Sequence, residues 1–356
     1  MKITIDCRMI NSSGVGVYLR GTLPLLLQSE HKFLLLGNPA LLESYIKNSN
    51  IEIIDCNIKP FSINELLFFP IKILKKINSS SLFYSPFFNI PKRIKIPVYT
   101  TIHDIAFPDV PELTSRIGLA ARMWFFHRAY RRSKKVFTVS NFSKSRIEYH
   151  LGKKIIKPVI VTYSSVQPSF LAWREKIPSI QKKDTILFIG NIKKHKGLNI
   201  LLEAFLEAKK TGLAHKLIII GEKDKFRTFD NKVIKKIEAA GNPDVSFSGH
   251  ISTEELIRNL AEAALLVQPS LYEGFGLPPL EAMVLGTHAL ISDIQVFKEI
   301  YAEYPVTFFK AGDIEDLKKK LLELLLNTPP SPVLSRELLF KYSFEKTTDC
   351  ILKEIK

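Results

Sequence analysis

Short apolar runs rich in Ile, Val, Leu and Phe recur along the chain, and longer stretches with apolar residues at helical spacing separate them. Continuous apolar runs are the mark of strands buried on both faces, and intervening amphipathic helices are what cover a parallel sheet. In the first half, runs near 2–6, 33–36, 51–54, 82–84, 97–102, 136–139 and 158–162 predict strands. Helices are expected near 16–29, 39–47, 63–77, 114–132 and 141–150. A polar stretch from Gln167 to Asp184, broken by Pro168 and Pro178, predicts a linker. The alternation then restarts. Ile186-Leu187-Phe188-Ile189-Gly190 reads as a first strand ending at a glycine, and Leu198–Lys210 as the helix after it. Further strands are expected near 217–220, 245–248, 264–268, 288–291 and 306–309, and Ser343 is placed to cap a last helix. The pattern predicts an α/β chain of two Rossmann-like, doubly wound parallel-sheet domains, residues 1–168 and 184–342. Ligands of such sheets bind outside the carboxyl ends of the strands, so a central cleft faced by both domains is the expected site.

Composition sharpens this picture. A chain of 356 residues with 46% hydrophobic content is long for one core and well supplied for two. Cys7, Cys56 and Cys350 stand apart with no metal-ligand spacing, which fits a reducing cytoplasm. The chain opens directly on the strand-like Met1–Asp6 instead of a signal peptide, and no apolar run reaches the roughly 18 residues of a membrane span. A cytoplasmic protein is expected, soluble or peripheral on the inner face of the membrane. Net charge is +16, and residues 1–170 carry 24 Lys and Arg against 10 Asp and Glu. A field of that sign favours an anionic partner. No nucleic-acid recognition module accompanies it, so nucleic acid is not expected.

The densest chemistry lies at Pro269-Ser270-Leu271-Tyr272-Glu273-Gly274-Phe275-Gly276-Leu277-Pro278-Pro279-Leu280-Glu281-Ala282-Met283. A strand ends at Pro269, and a glycine-rich loop leads to a helix starting near Pro278. Gly274 and Gly276 let backbone amides approach a ligand, and a helix start offers unpaired N–H groups to phosphate. Glu273 falls in the loop and Glu281 about one turn into the helix. Carboxylates accept hydrogen bonds from vicinal hydroxyls, so one acid suits a sugar and the other a ribose. For Glu281 alone, a helix-start glutamate favoured by the dipole is an adequate account.

As a whole this string resembles the signature of glycosyltransferase family 4, the group 1 glycosyltransferases, and the chain looks like a bacterial mannosyltransferase-like member along most of its length. The resemblance implies a GT-B fold and transfer from a sugar nucleotide with retained anomeric configuration. It implies that Glu273 contacts donor-sugar hydroxyls near the anomeric centre, and that Phe275, Gly276 and Leu277 lend amides to the diphosphate and sugar. Glu281 would hold the ribose hydroxyls. The donor would bind the second domain and the acceptor the first, with the terminal helix 343–356 packing back on the first.

Three further elements follow family order. Asn11-Ser12-Ser13-Gly14-Val15-Gly16-Val17-Tyr18 follows the first strand, and Gly14 and Gly16 would bring backbone close to the donor phosphate or the acceptor; a tight strand–helix turn explains glycines as well. Thr101-Ile102-His103-Asp104 resembles the family's His-Asp element and sets His103 against the donor sugar. Phe188-Ile189-Gly190-Asn191-Ile192-Lys193-Lys194-His195-Lys196-Gly197 supplies Lys196, the cation expected to neutralise the leaving diphosphate. Asn191 and His195 stand where a partner arginine is commonly found, and Lys193 or Lys194 is its candidate replacement. Tyr163-Ser164-Ser165-Val166 and His288 also depart from the family pattern.

No metal and no cofactor are expected, the sugar nucleotide being a GDP-, UDP- or dTDP-linked co-substrate. The first guess is mannose from GDP-mannose, passed to a glycan or polyprenyl-linked acceptor as in lipopolysaccharide, O-antigen or exopolysaccharide assembly. A sugar-nucleotide epimerase on the same fold and a non-catalytic sugar-nucleotide-binding scaffold are the alternatives. Arg116, Arg122, Arg128, Arg131 and Arg132, interleaved with Trp124, Phe125, Phe126 and Tyr130, and the mixed run 66–76 also suit an anionic membrane surface. A helix packing its aromatic face on the sheet, with its arginines in water, explains the first of these equally well.

Overall fold

The computed structural model describes residues 1–152, 157–174, 180–221, 243–327 and 331–355. The chain divides into two compact units. The first comprises Met1–Pro108, Arg116–Ser165 and Tyr342–Lys356; the second comprises Asp109–Ser115 and Val166–Lys341.

In the first unit β1 (Lys2–Asp6), β2 (Lys32–Gly37), β3 (Ile51–Asp55), β4 (Leu82–Ser85), β5 (Val98–Thr101), β6 (Lys135–Thr138) and β7 (Val159–Val161) form a sheet ordered β3-β2-β1-β4-β5-β6-β7. All its pairings are parallel. In the second, β8 (Lys183–Ile189), β9 (Lys216–Ile220), β10 (Val245–Gly249), β11 (Ala263–Gln268), β12 (His288–Ser292) and β13 (Thr307–Phe309) are ordered β10-β9-β8-β11-β12-β13, again parallel. Each order reverses once, between β1 and β4 and between β8 and β11. The connections leave these strand pairs in opposite directions, which opens a crevice at their carboxyl ends.

The apolar runs are strands because both faces are covered. On one side of the first sheet Leu34, Leu36, Phe83 and Val98 pack with Leu74 and Ile77, and further along Ile102 and Val136 pack with Phe126, Tyr130 and Ile147. In the second unit Ile186, Phe188, Leu217, Ile219, Leu265 and Val267 meet Leu201, Phe205, Leu317 and Leu321. The terminal helix Phe344–Glu354, capped by Ser343, packs on the Gly14–Leu26 helix so closely that a Cβ on Gly21 would sit 2.2 Å from the Phe344 ring.

Three expectations need correction. The stretch 63–77 is two helices, Ile63–Leu67 and Ile71–Asn78, because Pro70 lacks an N–H and disfavours helical backbone at Phe69. The expected 39–47 helix is a single turn, Pro39–Leu42, continued by a 3₁₀ turn over Glu43–Tyr45. The stretch read as a linker holds the helix Pro168–Trp173, started by its proline and anchored by the buried Phe170; residues 175–179 lie outside the described residues.

The basic helix Arg116–Arg132 buries Phe126, Ala129 and Tyr130. Several of its arginines are used by the protein itself. Arg128 and Arg132 donate to the carbonyls of Ile90 and Ile94, and the Arg122 guanidinium lies 4.4 Å from the centre of the Phe107 ring.

Candidate active site

The switch point of the second sheet gathers the expected donor residues. Beyond β8 the chain makes a short 3₁₀ turn, Lys194–Lys196, ending at Gly197 with φ 67°. Beyond β11 runs the loop from Pro269 to Gly276, which enters the helix Leu277–Val284. The two segments are locked together. The Leu271 N–H donates to the His195 carbonyl at 2.7 Å, and a Cβ on Gly197 would stand 2.0 Å from the Pro269 carbonyl oxygen. Only glycine fits both the left-handed backbone and that approach.

This contact sets Lys196 Nζ 2.6 Å from Glu273 Oε1. The two are 77 positions apart, and both side chains are largely buried. The same carboxylate oxygen accepts the Ser270 hydroxyl at 2.8 Å, and Ser270 Oγ accepts Gln268 Nε2–H at 3.1 Å. Burial pushes the Glu273 carboxyl up, but Lys196, His195 and Ser270 together outweigh it and hold the group below its ordinary value. Glu273 is therefore a carboxylate at neutral pH. Ser270 stands in the motif without an assigned role, and Gln268 lies just ahead of it at the end of the run expected as a strand near 264–268. Their position at the carboxyl end of a central strand is the signal that marks them.

Glu281 contrasts with it. It is almost fully buried, with no side-chain hydrogen bond among the described residues, and burial raises its pKa from 4.5 to about 7. A buried acid poised between its two forms is an acceptor awaiting donors. Both carboxylates act on Tyr301, whose hydroxyl burial pushes well up, with Tyr304, Glu281 and Glu273 adding to the shift. That hydroxyl donates to the Gly276 carbonyl, and the Leu280 N–H offsets part of the upward shift.

The helix start is narrower than its position suggests. Pro278 and Pro279 have no N–H to offer. The amides of Gly276 and Leu277 remain without partners among the described residues. Gly276 has φ 82°, and a Cβ there would meet the Phe297 ring at 2.3 Å. Phe275 is buried beside it, and Gly274 completes the loop.

In the first unit a second group forms. Gly14 opens the helix after β1 with nothing within 4 Å of a Cβ placed on it, which leaves room for a ligand. Gly16 is different: a Cβ would lie 2.5 Å from the Ile10 carbonyl oxygen, so its glycine is explained by the turn. His103, just past β5, is partly buried. Its Nε2–H donates to the Pro86 carbonyl at 2.8 Å, and its ring meets Tyr18 of the Gly14–Leu26 helix edge-on at 5.0 Å. Since a carbonyl can only accept, Nδ1 carries the lone pair. Burial lowers the His103 pKa despite Pro86 and Asp104, so the ring is neutral at pH 7. Its Nδ1 has no partner among the described residues.

Comparison with known proteins points to one family for the second unit. Residues 169–337 match the family model for glycosyl transferases group 1. That stretch, close to half of the chain, is similar to the group 1 glycosyltransferases. It is similar to an O-antigen chain mannosyltransferase B of Escherichia coli, 28% identical over 255 residues that cover 68% of this chain and 65% of the relative. A Salmonella typhimurium O-antigen chain mannosyltransferase is 30% identical over 206 residues, 56% of this chain and 53% of that one. The chain thus spans less than two thirds of these relatives' length. Among solved structures, Anabaena HepE in complex with UDP and glucose superposes with a TM-score of 0.72 at 16% identity, covering 100% of this chain and 99% of that one. Sucrose-phosphate synthase from Thermosynechococcus elongatus gives 0.72 at 14% identity, covering 100% and 98%. These likenesses establish the GT-B fold. Among the described residues no helix is long and apolar enough to cross a membrane.

Proposed function

We propose that this chain is a retaining mannosyltransferase that moves mannose from GDP-mannose to a hydroxyl of a growing O-antigen-type or exopolysaccharide glycan. The observation that carries the reading is the Lys196–Glu273 pair at the β8/β11 switch point, with the unpartnered Glu281 on the helix that follows. A glycosyl transfer must hold a nucleoside diphosphate, orient a sugar and stabilise charge on the leaving phosphate. Lys196 and the Gly276 and Leu277 amides suit the diphosphate, Glu281 the ribose hydroxyls, and Glu273 the hydroxyls of the sugar. The mannosyltransferase names of the relatives support the choice of sugar.

In this reading the C1–O bond to the diphosphate breaks as positive charge develops on the sugar ring. Lys196 leaves Glu273 to meet the departing phosphate, and Glu273 turns to the sugar. The acceptor hydroxyl attacks from the face the diphosphate leaves, and its proton passes to a phosphate oxygen. His103, neutral with a free Nδ1, accepts a hydrogen bond from a sugar hydroxyl. Charge stabilisation comes from Lys196 and backbone amides, so no metal or cofactor is required.

Incubation with UDP-, GDP- and dTDP-sugars and a mannose-terminated acceptor tests the proposal. GDP release coupled to a new α-linked mannose is expected. Recovery of an epimerised sugar nucleotide would sink the transferase reading, and binding without release would favour a scaffold. A β-linked product would refute retention alone.

A further inference from the structure

We propose that the first unit docks on an anionic lipid bilayer through the turn between the Ile63–Leu67 and Ile71–Asn78 helices. The Ile63–Leu67 helix is inside out. The side chain it buries completely is a carboxylate, Glu65, whereas Ile63 is 70% exposed and Leu67 55%. Phe68 and Ile71, which follow, are 70% and 62% exposed. Phe61 extends this apolar surface: its ring packs on Phe88 at 4.8 Å and Phe125 at 5.7 Å, and Phe125 in turn touches the half-exposed Trp124. Apolar side chains concentrated in one exposed turn, on a protein with ample core elsewhere, mark a surface meant to be covered.

The inversion is enforced. Arg8, at the end of β1, donates to both oxygens of Asp6 and, at 2.6 Å, to Glu65 Oε1. The other Glu65 oxygen accepts the Phe61 N–H and the Asn89 side-chain amide. All three charged side chains are buried. Burial opposes the Arg8 charge, yet Asp6 and Glu65 hold its guanidinium above its ordinary pKa. An ion network of this kind is a poor source of stability but fixes geometry. Here it pins the carboxylate inward, which turns Ile63, Leu67 and Phe68 outward.

Charge selects the occupant. Residues 56–97 carry seven cations, Lys59, Lys72, Lys75, Lys76, Lys92, Arg93 and Lys95, against one acid, the buried Glu65. Lys72 and Lys75 are exposed on the Ile71–Asn78 helix, whose Leu74 and Ile77 face the core. Apolar side chains at a tip with lysines behind them match a bilayer interface, rings and aliphatic chains at headgroup depth and ammonium groups on lipid phosphate. This site differs from the surface suggested by the arginine-rich helix, whose Arg128 and Arg132 are engaged within the protein.

Cosedimentation of the full chain with phosphatidylglycerol/phosphatidylcholine vesicles tests this with neither donor nor acceptor present, so its outcome is independent of the transferase reading. Binding is expected that weakens as salt rises and is at least about tenfold weaker on pure phosphatidylcholine. Leu67→Ser/Phe68→Ser is expected to lower it at least about tenfold, and Lys72→Glu/Lys75→Glu similarly while abolishing the salt response. Both variants alter exposed side chains, and an unchanged circular dichroism melt confirms their fold. Equal vesicle binding by wild type and both variants would overturn the proposal. So would absence of vesicle binding together with a wild-type dimer that Leu67→Ser/Phe68→Ser dissociates, which would assign the turn to a second copy, or with saturable binding to an acidic protein that either variant abolishes.

Discussion

Glu281→Gln offers the sharpest physical test of the site. The wild-type carboxyl is displaced by burial from 4.5 to about 7, a difference worth about 3.4 kcal/mol in full. Because the folded pKa is the higher one, the folded chain keeps its proton while the unfolded chain loses it. The group therefore costs nothing well below pH 4.5, and stability falls as pH rises from 4.5 to 7. Linkage gives a loss of about 0.8 kcal/mol by pH 5 and about 3 kcal/mol by pH 7, little more beyond. Glutamine cannot ionise, so the variant escapes this loss and carries only a pH-independent offset from burying an amide. Urea unfolding of ligand-free protein at half-unit steps from pH 4.5 to 8 measures the difference between the two proteins, in which other titrations cancel. That difference should move in the variant's favour by about 2 kcal/mol between pH 5 and 7. A flat difference would falsify the account of Glu281 as an unpartnered buried acid. If ribose hydroxyls then satisfy the carboxylate, donor binding at pH 7 should release a proton, read as a buffer-dependent calorimetric enthalpy absent in Glu281→Gln.

Lys196→Met removes the cation beside Glu273 and should lower transfer by about 10²- to 10³-fold, while stability falls by about 3 kcal/mol as a buried carboxylate loses its partner; activity within about tenfold of wild type would contradict its role on the leaving group. Gly197→Ala should displace the loop beyond β8 from the Pro269 carbonyl, destabilising by about 2 kcal/mol or more and weakening nucleotide binding in parallel. Unchanged melting and binding would show that the close approach is relaxed in solution. Dialysis against EDTA should leave transfer unchanged, and recovery of activity only on adding a divalent cation would refute a site run on Lys196 and backbone amides.

The strands were legible because parallel strands covered on both faces read as uninterrupted apolar runs, and Leu198–Lys210 was legible to the residue because its amphipathic spacing is regular. The break at Pro70 was visible in the sequence but outweighed by the helical spacing around it. The helix Pro168–Trp173 was hidden by its shortness, although a proline at a helix start with Phe170 two residues on is a usable signal. The motif at 269–283 gave the site's residues, but their pairing was another matter. Lys196 and Glu273 meet only because strand order makes β8 and β11 neighbours, information that no local window contains. Arg8, Glu65 and Asn89 escaped notice for the same reason. The inverted helix they hold looked, in sequence, like an ordinary amphipathic one.

The close fit of Gly197 against Pro269 bears on how such a protein is re-engineered. Two loops whose backbones touch behave as one mechanical part, so a donor pocket assembled from segments of different relatives has an awkward seam there. Exchanging residues 190–197 without 269–276 would graft one half of a clasp onto a foreign half. Chimeras cut instead inside the preceding strands, with both segments taken from one parent, keep the clasp whole and leave substrate preference free to be varied in the residues it carries.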